Sequence, residues 1–172
     1  YVGQYSDITL ANTGATLGVG RPGRHPVITT GSDGRGLFAY IDDSSVQVGH
    51  CENASCSEAT FSTVHTYAGG FDSVDITVDS RWESNGSDGL GVIAYKAGEH
   101  ISLAFCLNLQ CTDSVSNVIA AGAVGGRNAV QVLTGSDGFP VVIFATDTGF
   151  RYVACETLTC SSTVNEVVEA PH

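Results

Sequence analysis

The sequence predicts an all-β fold built from one unit repeated three times, and three observations support this prediction. The tetrapeptide Gly-Ser-Asp-Gly occurs at residues 31–34, 86–89 and 135–138. A Cys-x4-Cys pair follows each tetrapeptide, and its first cysteine always lies 18 residues after the Asp (33 to 51, 88 to 106, 137 to 155). Composition agrees, because 21 Gly residues and a single Lys in 172 residues favour strands joined by tight turns over helices.

Each unit contains four short segments with the pattern of strands. The first precedes the turn. The second, just after the turn, is a continuous apolar run, which is typical of a strand buried on both faces. The third alternates apolar with small or polar residues, as expected for one buried face. The fourth follows the second cysteine. In chain order these segments are 7–10, 37–40, 46–50 and 60–66; 75–78, 92–95, 101–105 and 115–120; 130–133, 141–144, 150–154 and 163–168.

Four strands per unit, repeated and linked by Gly-rich joints, predict a β-propeller-like fold with three four-stranded blades. The approximate blades are residues 1–68, 69–124 and 125–172 of a single repeat domain. A β-solenoid and a two-sheet sandwich are the alternatives, but a sandwich leaves the strict repeat unexplained and a solenoid rung is usually shorter. Because propellers typically have about four to eight blades, three blades predict half of a six-bladed ring, or an open repeat array, completed by self-association.

The units differ most between the first strand and the turn, where the first two carry insertions. Such insertions project from one face of a repeat fold, and that face often binds a partner. Trp82, with Arg81 beside it, is a candidate anchor for stacking on a sugar or for an interface. Arg21, Arg24 and His25 are candidates for contacting a carboxylate or an acidic subunit. The alternatives are that Trp82 covers its own blade and that the first insertion is a solvated loop. The insertions run over residues 79–84 and from 11 to about 30.

Aromatic residues recur seven positions after the turn Asp, as Tyr40, Tyr95 and Phe144. Exposed rings at this position would form platforms for sugars, which makes Tyr40 and Tyr95 candidate ligand-binding residues. The alternative is packing between blades, because a position that is aromatic in every copy is normally part of the core.

These residues carry a resemblance. The third unit, Gly-Ser-Asp-Gly-Phe-Pro-Val-Val at 135–142, resembles a group of secreted bacterial repeat proteins whose units read Gly-Ser-Asp-Gly-x-Pro-Val-Ile-x-Tyr before a Cys-x4-Cys pair. More loosely, the turn is similar to the Asp-box turns of sialidase-like and lectin propellers, although it lacks their Ser-x-Asp-x-Gly order and their following Trp. The resemblance covers nearly the whole chain except the first insertion. It implies an exported propeller and no particular activity.

The six cysteines predict disulfides rather than a zinc site, since zinc ligands are usually more closely spaced. A four-residue gap suits a bridge across a hairpin, and each short loop contributes roughly 2 kcal/mol in the chain-entropy model. Disulfides persist outside the cytosol, so the expected location is extracellular, on the cell surface or periplasmic. The simplest pairing is local: Cys51–Cys56, Cys106–Cys111 and Cys155–Cys160.

The turn aspartates, Asp33, Asp88 and Asp137, have two interpretations. They could hold a cation, or each could cap its tight turn while the following Gly supplies a positive φ. No EF-hand pattern accompanies them, so we expect no metal and no cofactor. Asn53 and Asn85 stand in N-glycosylation sequons within predicted turns.

The remaining features limit the function classes. A net charge of −11 makes nucleic acid a poor partner, and no apolar run is long enough for a membrane span. We find no motif for hydrolase or metalloprotease chemistry. The predicted function is therefore an exported, non-enzymatic binding or assembly protein that acts through self-association, as a dimer, ring or filament, and through surface recognition. The alternatives are a carbohydrate-binding lectin or adhesin and, after it, a glycosidase-like propeller enzyme.

Overall fold

The computed structural model describes residues 24–79, 89–124, 129–157 and 159–168. These residues form twelve strands and no helix, in three antiparallel sheets whose four strands lie in chain order. Each sheet contains one Cys-x4-Cys pair at the end of its third strand, so one sheet corresponds to one sequence unit. The fold is therefore all-β, as the sequence predicts.

The strands of the first sheet are β1 (Arg24–Thr30), β2 (Gly36–Asp42), β3 (Ser45–Cys51) and β4 (Ala59–Thr66). Those of the second sheet are β5 (Phe71–Val78), β6 (Gly91–Ala97), β7 (His100–Cys106) and β8 (Ser114–Ala121). Those of the third sheet are β9 (Val130–Thr134), β10 (Pro140–Thr146), β11 (Gly149–Cys155) and β12 (Thr163–Val168).

Strand β1 corrects the sequence interpretation. The segment predicted for it, 7–10, lies outside the described residues, and Arg24–Thr30 of the predicted insertion pairs with β2 instead. The prediction that Arg24 and His25 lie on a loop is therefore wrong, because both belong to this strand. The physical reason is the run from Val27 to Thr30, whose β-branched side chains favour a strand.

The core forms two layers, each between neighbouring sheets, so the second sheet lies in the middle. The first layer joins the first and second sheets through Leu37, Ala39, Ile41, Val46, Val48, Val74, Ile76, Ile93 and Tyr95. The second layer joins the second and third sheets through Val92, Ala94, Ile101, Leu103, Phe105, Val130, Val132, Val142, Phe144 and Val153. Every residue of β6 is consequently buried.

Neighbouring sheets lie closest at their first strands. Strand β5 packs against β1, β2 and β9, whereas the fourth strands β4 and β8 barely meet. The second strands also come close at Gly91 of β6, where a Cβ would lie 2.8 Å from Cδ2 of Leu37 in β2 and 2.9 Å from Sγ of Cys106 in its own sheet. The spacing between sheets thus widens from the first strand towards the fourth.

Candidate functional site

The two faces of each sheet are distinct, and the repeat keeps them so. Cross-strand partners point to the same side of an antiparallel sheet, so the strand register assigns side chains to faces. We call the side that meets the following sheet the back face and the opposite side the front face. Leu37 and Val46, on the back face of the first sheet, pack with Ile93 and Tyr95, on the front face of the second. The second and third sheets meet in the same way.

The back face of the third sheet is an open apolar surface. Leu133, Ile143, Phe150 and Val164 are 57%, 40%, 50% and 41% exposed, and no described segment packs on them. The side chains at the positions of Ile143 and Phe150 are 0% exposed in both other sheets, where the next sheet covers them. Those equivalent residues are Ala39 and Val46 in the first sheet and Ala94 and Ile101 in the second.

The front face of the first sheet is the second open surface and it is aromatic. Ile28 is 60% exposed, and Phe38, Tyr40 and Phe61 are partly exposed. The Phe38 ring lies 5.8 Å from that of Phe61 and directly over Gly49, where a Cβ would come within 2.2 Å of it. The cluster is therefore held flat against its own sheet. The residues equivalent to Phe38 and Tyr40 are buried elsewhere, as Ile93 and Tyr95 and as Val142 and Phe144.

A repeated hydrogen bond ties the fourth strand of one sheet to the disulfide turn of the next. Ser62 donates to the carbonyl of Cys111 at 2.6 Å, and Asn117 donates to the carbonyl of Thr159 at 2.7 Å. Both donors stand six residues after the second cysteine of their own unit (56 to 62, 111 to 117). The contact between consecutive sheets is thus specific as well as apolar.

The exposure of the second cysteine in each disulfide turn depends on whether a preceding sheet covers that turn. The structure joins each cysteine pair locally, as expected, and the second cysteine of every pair is left-handed, with φ of 51°, 53° and 54°. Cys111 and Cys160 are 1% and 5% exposed, beneath the sheet that precedes them. Cys56, whose turn has no described sheet before it, is only partly buried. The turn at Cys56 is therefore left uncovered, whereas the equivalent turns of the other two units are covered by the preceding sheet.

Side chains of β5 satisfy the free backbone edge of β9. The hydroxyl of Ser73 accepts from the Val130 amide at 3.2 Å, and Oδ2 of Asp75 accepts from the Val132 amide at 2.8 Å. Burial raises the pKa of Asp75 above its ordinary value of 3.8, and its hydrogen bonds from the amides of Val132 and Ile76 offset part of the rise. The first strands of the second and third sheets are thus joined by side-chain hydrogen bonds rather than by a backbone sheet ladder.

The turn aspartates cap their turns. Oδ1 of Asp33 accepts from the Arg35 amide and Oδ1 of Asp137 accepts from the Phe139 amide, both at 3.0 Å. Gly34 and Gly138 follow them with φ of 76° and 83°, so the capping interpretation is confirmed at both turns. Asp88 lies outside the described residues. Among the residues that the structure describes, no three His, Cys, Asp or Glu side chains are grouped as metal ligands.

Two buried polar residues were not singled out from the sequence. His50 is fully buried, and its Nε2 lies 3.0 Å from Oδ2 of Asp33, which links the disulfide end of β3 to the turn. Lys96 is 5% exposed, and its Nζ donates to Oδ2 of Asp72 at 2.7 Å. The signal was present in the alignment of units, because the other units carry apolar residues here. These are Phe105 and Ala154 for His50, and Ile41 and Ala145 for Lys96.

The predicted ligand residues that the structure describes lie in different parts of the fold. Tyr95 and Phe144 lie in the two core layers, as the packing alternative predicts, whereas Tyr40 is on the open front face. Asn53 belongs to the first disulfide turn, where its side chain accepts from the Ser57 amide at 3.1 Å. Arg24 and His25 begin β1. Four further candidates fall outside the described residues: Arg21, Arg81, Trp82 and Asn85.

A small cleft opens where the first two sheets splay apart. It has a volume of about 160 Å³ and is lined by His65, Tyr67, Tyr95, His100 and Asn117, among others. The His65 ring stacks on Tyr95 at 5.3 Å. Burial raises the pKa of Tyr95, and the nearby hydroxyls of Ser116 and Ser102 offset part of that rise. The cleft offers rings and hydrogen-bonding groups side by side.

The fold and the two open faces define an all-β repeat protein of three stacked four-stranded sheets. The three disulfides fit an oxidising compartment. In the described part of the chain, no helix has the length and apolar character needed to cross a membrane. Comparison with protein-family models, with curated proteins and with solved structures found no match to this chain.

Proposed function

We propose that this chain is an exported, non-enzymatic assembly protein that works by binding further copies of itself. The observation that carries the proposal is the pair of open faces at the two ends of the stack. On the open back face, Ile143 and Phe150 are exposed at positions that are fully buried in both other sheets. An exposed group of large apolar side chains of this kind is typical of an interaction site. The location would be extracellular, on the cell surface or periplasmic, which the disulfides support.

The arrangement of the sheets favours a propeller-like assembly. The support is that the sheets meet at β1, β5 and β9 and separate towards β4 and β8, as blades packed around a common axis would. Propellers typically close with about four to eight blades. Two copies of a three-bladed chain supply six, so a ring of two copies would cover both open faces of each.

Sedimentation velocity over a wide range of protein concentration tests the proposal. We expect a species of twice the chain mass of 17.8 kDa, dissociating to monomer on dilution. Loss of the dimer in an Ile143→Glu/Phe150→Glu variant would locate the association at the open back face. A wild-type chain that remains monomeric at every concentration would refute self-association.

Carbohydrate binding is a second candidate function, and the cleft between the first two sheets favours it. Tyr67 is 41% exposed beside His65, and His100, Ser102 and Ser116 supply hydrogen-bonding groups at the same opening. A volume of about 160 Å³ suits one sugar ring rather than a long chain. A glycan array with wild type and Tyr67→Ala tests this function. Signals lost in the variant would support it, and a blank array would refute it.

A further inference from the structure

We infer that the self-association is head-to-tail: the back face of the third sheet in one copy binds the front face of the first sheet in a second copy. The inference rests on the proposed self-association. It adds which two surfaces bind and that a back face binds a front face. The occupant of each open face is thus another copy of this chain.

The first support is the direction in which the sheets pack at the two interfaces within the chain, that is, which face meets which. The back face of the first sheet packs on the front face of the second, and the back face of the second packs on the front face of the third. A back face never meets another back face among the described sheets. An intermolecular contact with the same polarity continues this series without a new kind of packing.

The second support is the chemistry of the open positions. Phe150 of the open back face corresponds to Val46 and Ile101, which are apolar and 0% exposed. Tyr40 of the open front face corresponds to Tyr95 and Phe144, which are aromatic and each 1% exposed. Each open face therefore has the kind of residues that its covered counterparts use for sheet-on-sheet packing.

The third support is the uncovered disulfide turn. In both internal interfaces a fourth strand donates a hydrogen bond to the following turn, from Ser62 to Cys111 and from Asn117 to Thr159. The residue of β12 six positions after Cys160 is Glu166, and a carboxylate accepts rather than donates, so the support at this point is the burial of the turn and not the hydrogen bond. Head-to-tail docking would set β12 of one copy against the Cys51–Cys56 turn of the next. It would then bury Cys56, which is only partly buried in the single chain.

Closure depends on the rotation between neighbouring sheets. A contact between two different faces is heterologous, and it ends in a closed ring only if the rotation between units completes a circle. Neighbouring sheets contact each other at β1, β5 and β9 and barely meet at β4 and β8. This favours a turn about the first strands, and two copies that complete the turn satisfy both contacts at once. A back-to-back dimer would instead leave both aromatic front faces, around Phe38, exposed to water.

Two variants separate these arrangements. The back-face variant is Ile143→Glu/Phe150→Glu and the front-face variant is Ile28→Lys/Phe61→Lys, all at solvent-accessible positions. Head-to-tail binding predicts that each variant alone is monomeric, because every contact needs one face of each kind. An equimolar mixture should form a 1:1 heterodimer through the one intact pair of faces. The altered faces carry opposite charges, so they do not repel each other when the ring of two copies brings them together.

The control is Leu107→Glu, which places the charge of the back-face variant on a 51% exposed residue of the second disulfide turn, in the middle sheet. It should dimerise like the wild type. Far-ultraviolet circular dichroism and the absence of free thiols check that each variant is folded. Sedimentation velocity at high protein concentration then gives the masses.

The outcomes are distinct. Head-to-tail binding is overturned if either variant dimerises alone, or if the mixture stays monomeric while the wild type dimerises. Dimers of the front-face variant alone would indicate back-to-back association, which keeps the proposed function and rejects this polarity. A monomeric wild type would instead reject the proposed function itself.

Discussion

The second and third sheets are built from the same unit but have different surroundings. In the second sheet every residue of β6 is buried. In the third sheet β10 buries Val142 and Phe144 on one side and exposes Ile143 on the other. Both strands have the continuous apolar pattern of a strand covered on both faces. The difference therefore reflects the position of each sheet in the stack. The third sheet has the sequence pattern of a sheet covered on both faces, although one of its faces is open.

The largest expected effect contrasts Ile101 with its counterpart Phe150. Ile101→Ala should lower the free energy of unfolding by about 2–5 kcal/mol, because it leaves a cavity in a covered layer. Phe150→Ala should cost less than about 1 kcal/mol in a monomer, since this side chain is half exposed. Urea unfolding in the monomeric front-face variant measures both. Equal losses would mean that the third sheet is covered in the monomer.

The next effect concerns the buried histidine of the first sheet. His50→Ala should lower the free energy of unfolding by about 2–4 kcal/mol, because it leaves a cavity and removes the partner of Asp33. His50→Phe places in the first sheet the residue that the second carries as Phe105, and it should cost less than about 1.5 kcal/mol. The same urea titration compares the two. A Phe variant as unstable as the Ala variant would mean that the first two units do not pack alike at this position.

A smaller effect concerns Lys96, which the second sheet buries where the first has Ile41. Asp72→Ala should cost about 1–3 kcal/mol, because it leaves a buried ammonium without its carboxylate. Adding Lys96→Ile should recover most of the loss, since the unpaired charge is then removed. Thermal unfolding of the single and double variants tests this coupling. A double variant no more stable than Asp72→Ala would show that the ion pair is not what the second sheet depends on.

The smallest effect is a pH dependence at the junction of the second and third sheets. Burial raises the folded-state pKa of Asp75 above 3.8, so the folded chain holds this proton more tightly than the unfolded chain. The contribution of Asp75 to stability is therefore greatest below pH 3.8 and falls as the pH rises through the folded-state pKa. Asp75→Asn should remove that part of the slope in a plot of unfolding free energy against pH. An unchanged slope would assign the dependence to other groups.

Much of the fold was predictable because the repeat is explicit. The constant distance from Asp33 to Cys51, repeated twice more, marks the unit, and the apolar runs around it mark three of its strands. The capping role of Asp33 followed from turn chemistry. Strand β1 was missed because the Gly and Pro residues before Val27 are typical of a loop. Its pairing with β2 depends on tertiary contacts, which the local sequence pattern does not show.

The candidate site was less predictable, for a physical reason. Phe150 and its buried counterpart Ile101 have the same apolar pattern, so only the order of the sheets reveals which one is open. Tyr40 and Tyr95 are identical in type and position, yet one lies on an open face and the other in the core. His50 and Lys96 could have been found, because each is polar at a position where the other units are apolar.

Sedimentation equilibrium of the wild-type chain at several loading concentrations tests most directly whether the open faces bind each other. We expect a monomer–dimer equilibrium whose larger species has twice the chain mass of 17.8 kDa. No larger species should form, because a ring of two copies leaves no face open. A mass of 17.8 kDa at every concentration would contradict self-association, and a series of ever larger species would contradict the closed ring.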